Sequence, residues 1–340
     1  MSQTTAQNPG AEIVRSLSYG QALTEAIREE MARDPRIVIM GEDAAVGGAL
    51  GLLTGLADEF GRDRVRDTPI SEAGFVGAAI GLAATGWRPI VDVMFAPFLW
   101  SAMDQICNQA AKWRYMTGGQ VELPIVYLMA NGALGGEAAA QHAISPYSQF
   151  MQVPGLKIVI PASAHDAKGL TKTSIRDPNP VLLFEIPRLN GVKGDVPEGE
   201  VLVPMGEARL VREGSDVTVV GVGYLVHEAL EAAATLESEG ISVEVVDPRT
   251  LVPLDIDTIV QSVEKTNRLI VADEATPAAS AASEIIASVV EIAYDQLDSY
   301  PARVCALNAP TPFSPTLERT VLPNAARIVD AVREHVGVAQ

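Results

Sequence analysis

The sequence predicts an α/β protein of two domains, each built on a mostly parallel sheet. Three observations carry that expectation. The apolar share is 48% while the aromatic share is 5%, so the core is built mainly from Ala, Val, Ile and Leu, as in helices packed on buried strands. Short β-branched runs alternate with helical stretches along nearly the whole chain, which implies βα units. The alternation breaks once, near residues 186–204, and then restarts, and 340 residues are enough for two domains of ordinary size.

Taken in order, SYGQALTEAIREEMARD (18–34) places Leu23, Ala26, Ile27 and Met31 at helical spacing, with Ser18 and Gln21 set as a capping box. RIVIM (36–40) reads as a short buried strand, followed by a Gly-rich turn from Gly41 to Gly51 that suits a loop near a ligand. EAGFVGAAIGLAATG (72–86) reads as a helix by continuity, although each interior glycine costs about 0.5–1 kcal/mol relative to Ala. Tight helix packing is the plain reason for Gly74, Gly77 and Gly81; close approach of a flat ligand is the other. Strands at 89–95, 124–129, 156–160 and 181–185 then alternate with helices at 97–116 and 163–177, and a Gly/Ala-rich loop leads to His142. IPRLNGVKGDVPEGEVLVP (186–204) has Pro, Gly and charge without periodicity and reads as the linker. The domains are therefore drawn at 16–190 and 204–337, with the connector at 191–203. In the second, strands at 216–223, 241–247, 268–274 and 302–307 alternate with helices at 224–240, 255–266 and 283–297, and a last helix runs through 328–336.

Several classes of function are disfavoured. A formal charge of −18 argues against a nucleic-acid partner, which needs clustered Lys and Arg. MSQTTAQNPG lacks the basic head and apolar stretch of an export signal, and no apolar run is long enough to span a membrane, so a cytoplasmic protein is expected. Cys107 and Cys305 lack a CxxC spacing and read as reduced core thiols. The four histidines and two cysteines show no zinc spacing, and GxxxxGK[ST] does not occur. GVG at 221–223 lacks the third glycine of a dinucleotide fingerprint and reads as a strand-to-helix turn. His142 in AAAQHAIS admits a hydrolase reading, but no GxSxG elbow accompanies it.

Glu72, in DTPISEAGFVG, has two readings. It is either a first-turn acid that complements the helix dipole or a carboxyl in a nearly dry pocket, able to hold or pass a proton.

DTPISEAGFVGAAIG, MFAPFLWSAMDQICNQAAKWRYMTGG, AAAQH, VPGLKIVIPASAHDAKGL, IRDPNPVLLFE, VVDPRTLVPLD and APTPFSPTLE occur in this order. Over residues 16 to 337 the chain thereby resembles the beta subunit of the thiamine-diphosphate-dependent decarboxylating component of 2-oxoacid dehydrogenase complexes, nearest the pyruvate and acetoin types. The resemblance implies a pyrimidine-binding domain followed by a transketolase C-terminal-like domain, within a heterotetramer of two alpha and two beta chains. It implies thiamine diphosphate with Mg2+ as cofactor. The GDG that holds magnesium and diphosphate is not found here, so the alpha chain is expected to supply it. Acyl units would pass to a lipoylated acyltransferase core.

Carried onto this sequence, Glu72 matches the family glutamate that hydrogen-bonds the aminopyrimidine ring and favours the tautomer able to deprotonate the thiazolium carbon. Phe98 matches the aromatic that packs on the same ring. Ile70 and Met94 fall where the pocket is lined, with plain core packing as the competing reading. His142 matches the histidine near the reactive carbon that serves substrate binding and transfer to lipoamide. RDPNP, with Asp177 and Asn179, matches a loop that holds a monovalent cation such as K+ in some relatives; a turn before a strand is the competing reading.

The chain also departs from the family pattern. AIS follows His142 in place of a polar stretch, Gln152 replaces a histidine, Glu137 stands in a run that usually holds a basic residue, and ATPAASAASEI (275–285) replaces a Gly- and Arg-containing segment. These leave the choice among pyruvate, acetoin and other 2-oxoacids open. The rivals are a split transketolase-like thiamine enzyme and a noncatalytic scaffold of the same fold.

Overall fold

The capping box forms as read: Ser18 Oγ accepts the Gln21 N–H at 3.2 Å and Gln21 Oε1 accepts the Ser18 N–H at 3.0 Å. It opens the helix Tyr19–Arg33 in the computed structural model, which describes residues 14–337. The segment MSQTTAQNPG, read for export, lies outside the described residues. Leu23, Ala26, Ile27 and Met31 are buried, and this helix packs directly against Ala164–Arg176.

Seven strands make that sheet, in the order Thr250–Val252, Lys157–Val159, Val181–Glu185, Val126–Ala130, Arg88–Phe95, Ile37–Gly41 and Val65–Asp67. All neighbours are parallel except the first pair. The second sheet runs Ala302–Cys305, Leu269–Asp273, Val217–Gly221, Val243–Asp247 and Arg209–Arg212, with only the last pair antiparallel. Central strands such as Ile37–Gly41 and Val126–Ala130 are buried at every position, as strands covered by helices on both faces must be.

Three features differ from the expectation. The connector 191–203 contains the strand Lys193–Pro197, which pairs antiparallel with Val14–Ser18; its sequence shows no alternation because only Val196 is buried. The strand Thr250–Val252, which follows the third strand of the second domain, crosses back to edge the first sheet, and the Ile160 N–H donates to Arg249 O at 2.9 Å. The stretch 97–116 is not one α-helix. It is 3₁₀ over Ala96–Ala102, π over Asp104–Ala110 and α over Ala111–Met116.

The main apolar core runs without a break from Tyr19 and Leu23 through Phe184 to Val246, Leu251 and Ile259, so both domains share it. Cys107 is half-buried and Cys305 buried, and both are free thiols. Among the described residues no helix is long and apolar enough to cross a membrane.

Candidate functional site

The carboxyl ends of Val126–Ala130, Arg88–Phe95, Ile37–Gly41 and Val65–Asp67 lie side by side; the segment leaving the first carries His142, that leaving the second Phe98, and that leaving the last Ile70 and Glu72. Glu72 is the first residue of the helix Glu72–Ala84 and is half-buried. That helix packs against the 3₁₀ segment bearing Phe98. Behind it, the Glu42 carboxyl is pushed up from its ordinary range by burial, with the negative charges of Glu72 and Asp43 adding to the effect. Glu42 Oε1 is buried without a hydrogen-bond partner. The dipole reading of Glu72 holds for its position at the helix start, yet a helix end alone does not require a second acid nearby.

His142 ends a short helical turn, Ala139–His142. Its ring lies edge-on to Phe95 at 4.9 Å and to Phe98 at 5.4 Å between centroids, and the two phenylalanines are 5.7 Å apart. His142 Nδ1 is 3.1 Å from Ala138 O. A carbonyl can only accept, so Nδ1 carries a proton and Nε2 is the nitrogen left without a protein partner.

Met94 adopts φ +71°, a region that side chains rarely enter, where a bulge interrupts the pairing of Arg88–Phe95 with Val126–Ala130. The Met94 N–H donates to Asp92 Oδ1 at 2.9 Å. Asp92 is buried and pushed up to about 6 by desolvation, with the charge of Glu42 adding to it and the Met94 bond opposing it. Beside it Glu185 is fully buried and also pushed well up, first by desolvation and then by Asp92, and Glu185 Oε2 has no partner. Gly48, Asp92, Met94 and Glu185 help to line a small cavity of about 20 Å³, room for one water.

Phe98 and His142 are thus brought together, Met94 lies on the neighbouring strand end, and Glu72 starts the helix packed beside them. Ile70 stands apart, 83% exposed and so not a core residue of this chain. Phe95, Glu42, Asp92 and Glu185 escaped the sequence reading. In the sequence Asp92 and Glu185 show only as carboxyls within or closing an otherwise apolar strand, which does not say that they turn inward.

At the other edge, Asp177 Oδ1 accepts the Asn179 N–H at 2.8 Å and its Nδ2–H at 2.9 Å, and Asp177 Oδ2 pairs with Lys157. Asn179 Oδ1 accepts from Arg114 at 2.9 Å. The two Asp177–Asn179 bonds are those of a turn before the strand, while Lys157 and Arg114 reach it from other elements. Among the described residues no cluster of three or more His, Cys, Asp and Glu side chains is arranged to hold a metal. Gln152 and the 275–285 segment, two of the departures, meet along one groove of about 650 Å³ that Gln152, Leu254, Ser280 and Ser283 help to line.

The family model described as transketolase, pyrimidine binding domain matches residues 15–191, and that for the transketolase C-terminal domain matches 206–328. The chain is 48% identical to the acetoin:2,6-dichlorophenolindophenol oxidoreductase subunit beta of Cupriavidus necator, over 95% of this chain and 98% of that one. It belongs to the E1 beta-subunit family of pyruvate and acetoin dehydrogenases. The Bacillus subtilis protein of the same acetoin description is 46% identical to this E1 beta-type chain, over 96% of it and 98% of the relative. The pyruvate dehydrogenase E1 component subunit beta of Rhizobium meliloti is 42% identical, over 96% and 71%. A solved structure described as a split gene transketolase, inactive beta4 tetramer, superposes with a TM-score of 0.77 at 24% identity, covering 95% of this chain and all of that one. It shows that the E1 beta-type chain shares the transketolase fold.

Proposed function

We propose that this chain is the beta half of a thiamine-diphosphate enzyme that decarboxylates a 2-oxoacid or cleaves acetoin and passes the acyl unit to lipoamide. The observation that carries the reading is Glu72 at the start of a glycine-rich helix packed beside the Phe98–His142 pair. The residues fit an aminopyrimidine: Phe98 offers an aromatic surface, Met94 and Ile70 apolar contacts, and Glu72 a carboxyl for a ring nitrogen. When bound, the cofactor supplies a carbanion at its thiazolium carbon and accepts the electron pair released as the substrate bond breaks.

The chain's own residues have separate tasks. Glu72 holds a proton at the pyrimidine nitrogen. Glu42, partly buried behind it, has its affinity for protons raised by burial and by the charge of Glu72. His142, its Nδ1–H fixed on Ala138 O, presents Nε2 to substrate and to the arriving lipoyl group. Glu72, Ile70, Met94 and Phe98 include no cation, so an alpha subunit is assigned the diphosphate and Mg2+. The exposed Ile70 and the open face of Glu72–Ala84 at Gly74, Ala78 and Gly81 suit its coverage. Acetoin is the first substrate to test, because the two relatives of that description are 46% and 48% identical against 42% for the Rhizobium meliloti pyruvate type.

Glu72→Gln preserves shape but not the shared proton. Assembled with the alpha subunit, the variant is expected to reduce dye with acetoin or pyruvate on the order of 10²-fold or more slowly. Equal turnover of variant and wild type would sink the assignment, and turnover with sugar phosphates instead would favour the split-transketolase rival.

A further inference from the structure

The loop that carries His142 is held chiefly from the other domain. The Ala133 N–H donates to Glu274 Oε1 at 2.5 Å, the Glu137 N–H to Phe313 O at 3.0 Å, and Thr311 Oγ1–H to Ala143 O at 3.0 Å. Just beyond, the buried Tyr147 hydroxyl donates to Asp273 Oδ1. From the first domain the loop receives Asn131 N–H to Glu185 O at 2.8 Å and the internal Asn131–Ser145 bond at 3.2 Å.

Asp273 and Glu274, at the carboxyl end of the strand Leu269–Asp273, differ in what else they do. Asp273 accepts the N–H groups of Ala275 at 2.9 Å and Ala282 at 3.0 Å, so it is tied into the start of its own domain's helix Ala281–Ala293. Glu274 spends one oxygen on the loop amide and the other on Arg188. Arg188 in turn is pinned, its guanidinium 3.7 Å above the Tyr224 ring.

Such a hold is needed because the loop is strained. Glu137 and Ala139 have φ of +69° and +56°, which residues with a side chain keep only where the surroundings over-determine them. Gly136 has no room for a Cβ, which would lie 2.5 Å from Pro315 Cγ. His142 comes three residues after Ala139 and takes its ring orientation from Ala138 O, so the imidazole inherits the geometry of the strained segment.

We propose that Glu274 is a positioning residue for His142: locked by Arg188, its carboxylate fixes the Ala133 amide and with it the loop that sets the imidazole against Phe95 and Phe98. The functional consequence rests on the reading of His142 given above, whereas the positioning does not. The C-terminal domain thereby acts on a site whose recognised residues all lie in the other domain.

The sequence holds four histidines, His142, His165, His227 and His335, so the full chain labelled with ¹³C-histidine gives four ring signals, and His142→Ala identifies one of them. Glu274→Gln keeps an acceptor for Ala133 but removes the charge that locks Arg188; Glu274→Ala removes both. The His142 signal is expected to shift and broaden in Glu274→Gln, and more in Glu274→Ala, while His165 and His335 keep theirs. His227 stacks on Tyr224 and so is not a control. In the alpha–beta assembly, kcat should fall on the order of ten- to a hundred-fold with KM for thiamine diphosphate changed less than about two-fold. An unmoved His142 signal together with a lowered melting temperature would overturn the proposal and leave Glu274 as a brace of the fold. A displaced signal with unchanged kcat would uphold the positioning and instead refute the role given to His142.

Discussion

At position 92 a carboxyl stands inside the apolar strand Arg88–Phe95, close behind the pocket residues Met94 and Phe98. Its ordinary value of 3.8 is raised to about 6, chiefly by desolvation. Between those values the native chain keeps a proton that the unfolded chain has lost, so stability falls as pH rises from about 4 to about 6 and stays low above. The loss is on the order of 3 kcal/mol for this group. Asp92→Asn keeps an oxygen for the Met94 N–H and removes the buried charge. Its melting temperature should exceed that of wild type at pH 8, with the gap shrinking below about pH 6 and closing near pH 4; a gap independent of pH would contradict the assignment. Glu72, Phe98 and His142 could be singled out from the sequence because each sits in a block whose order matches the family. Asp92 and Glu185 were not, since a strand pattern reports which positions are apolar and not which polar exceptions turn inward. The bulge at Met94 that turns Asp92 toward Glu185 depends on the neighbouring strand.

The helix Glu72–Ala84 shows the same division at the next scale. Its start, its length and the presence of three glycines were all readable. Tight packing within the chain does not account for Gly77 or Gly81: a Cβ at Gly77 would touch only Gln105 at 3.5 Å and one at Gly81 would meet nothing within 4 Å, whereas at Gly74 it would meet Ser71 Oγ at 2.9 Å. Gly81 is exposed and helical, so Gly81→Ala should stabilise the chain by about 0.5–1 kcal/mol. If the bare face is where the alpha subunit lies, the same change should weaken assembly, measured by sedimentation of the mixed chains. Stabilisation of the chain without weaker assembly would place the partner elsewhere. In 97–116 the apolar spacing was right but the helix type was not, because Pro97 and packing against Glu72–Ala84 shape that turn and local periodicity carries neither.

For the molecule as a whole, alternation along the chain foretold two mostly parallel sheets, and both are present. How the sheets are joined was not legible. Thr250–Val252 edges the sheet of the other domain, Val14–Ser18 finds Lys193–Pro197 across the length of the first domain, and the His142 loop leans on Glu274 and Thr311. These are long-range pairings of short or polar segments, which leave no periodic trace. They tie the two sheets together, and on the proposed reading the first domain offers half of a cofactor site, a carboxyl and aromatic groups for the pyrimidine end without cations for the diphosphate. That half-site is the central claim, and calorimetric titration of thiamine diphosphate with Mg2+ tests it most directly. The chain alone should bind weakly or not at all and the alpha–beta assembly tightly, whereas tight saturable binding to the chain alone would contradict the claim.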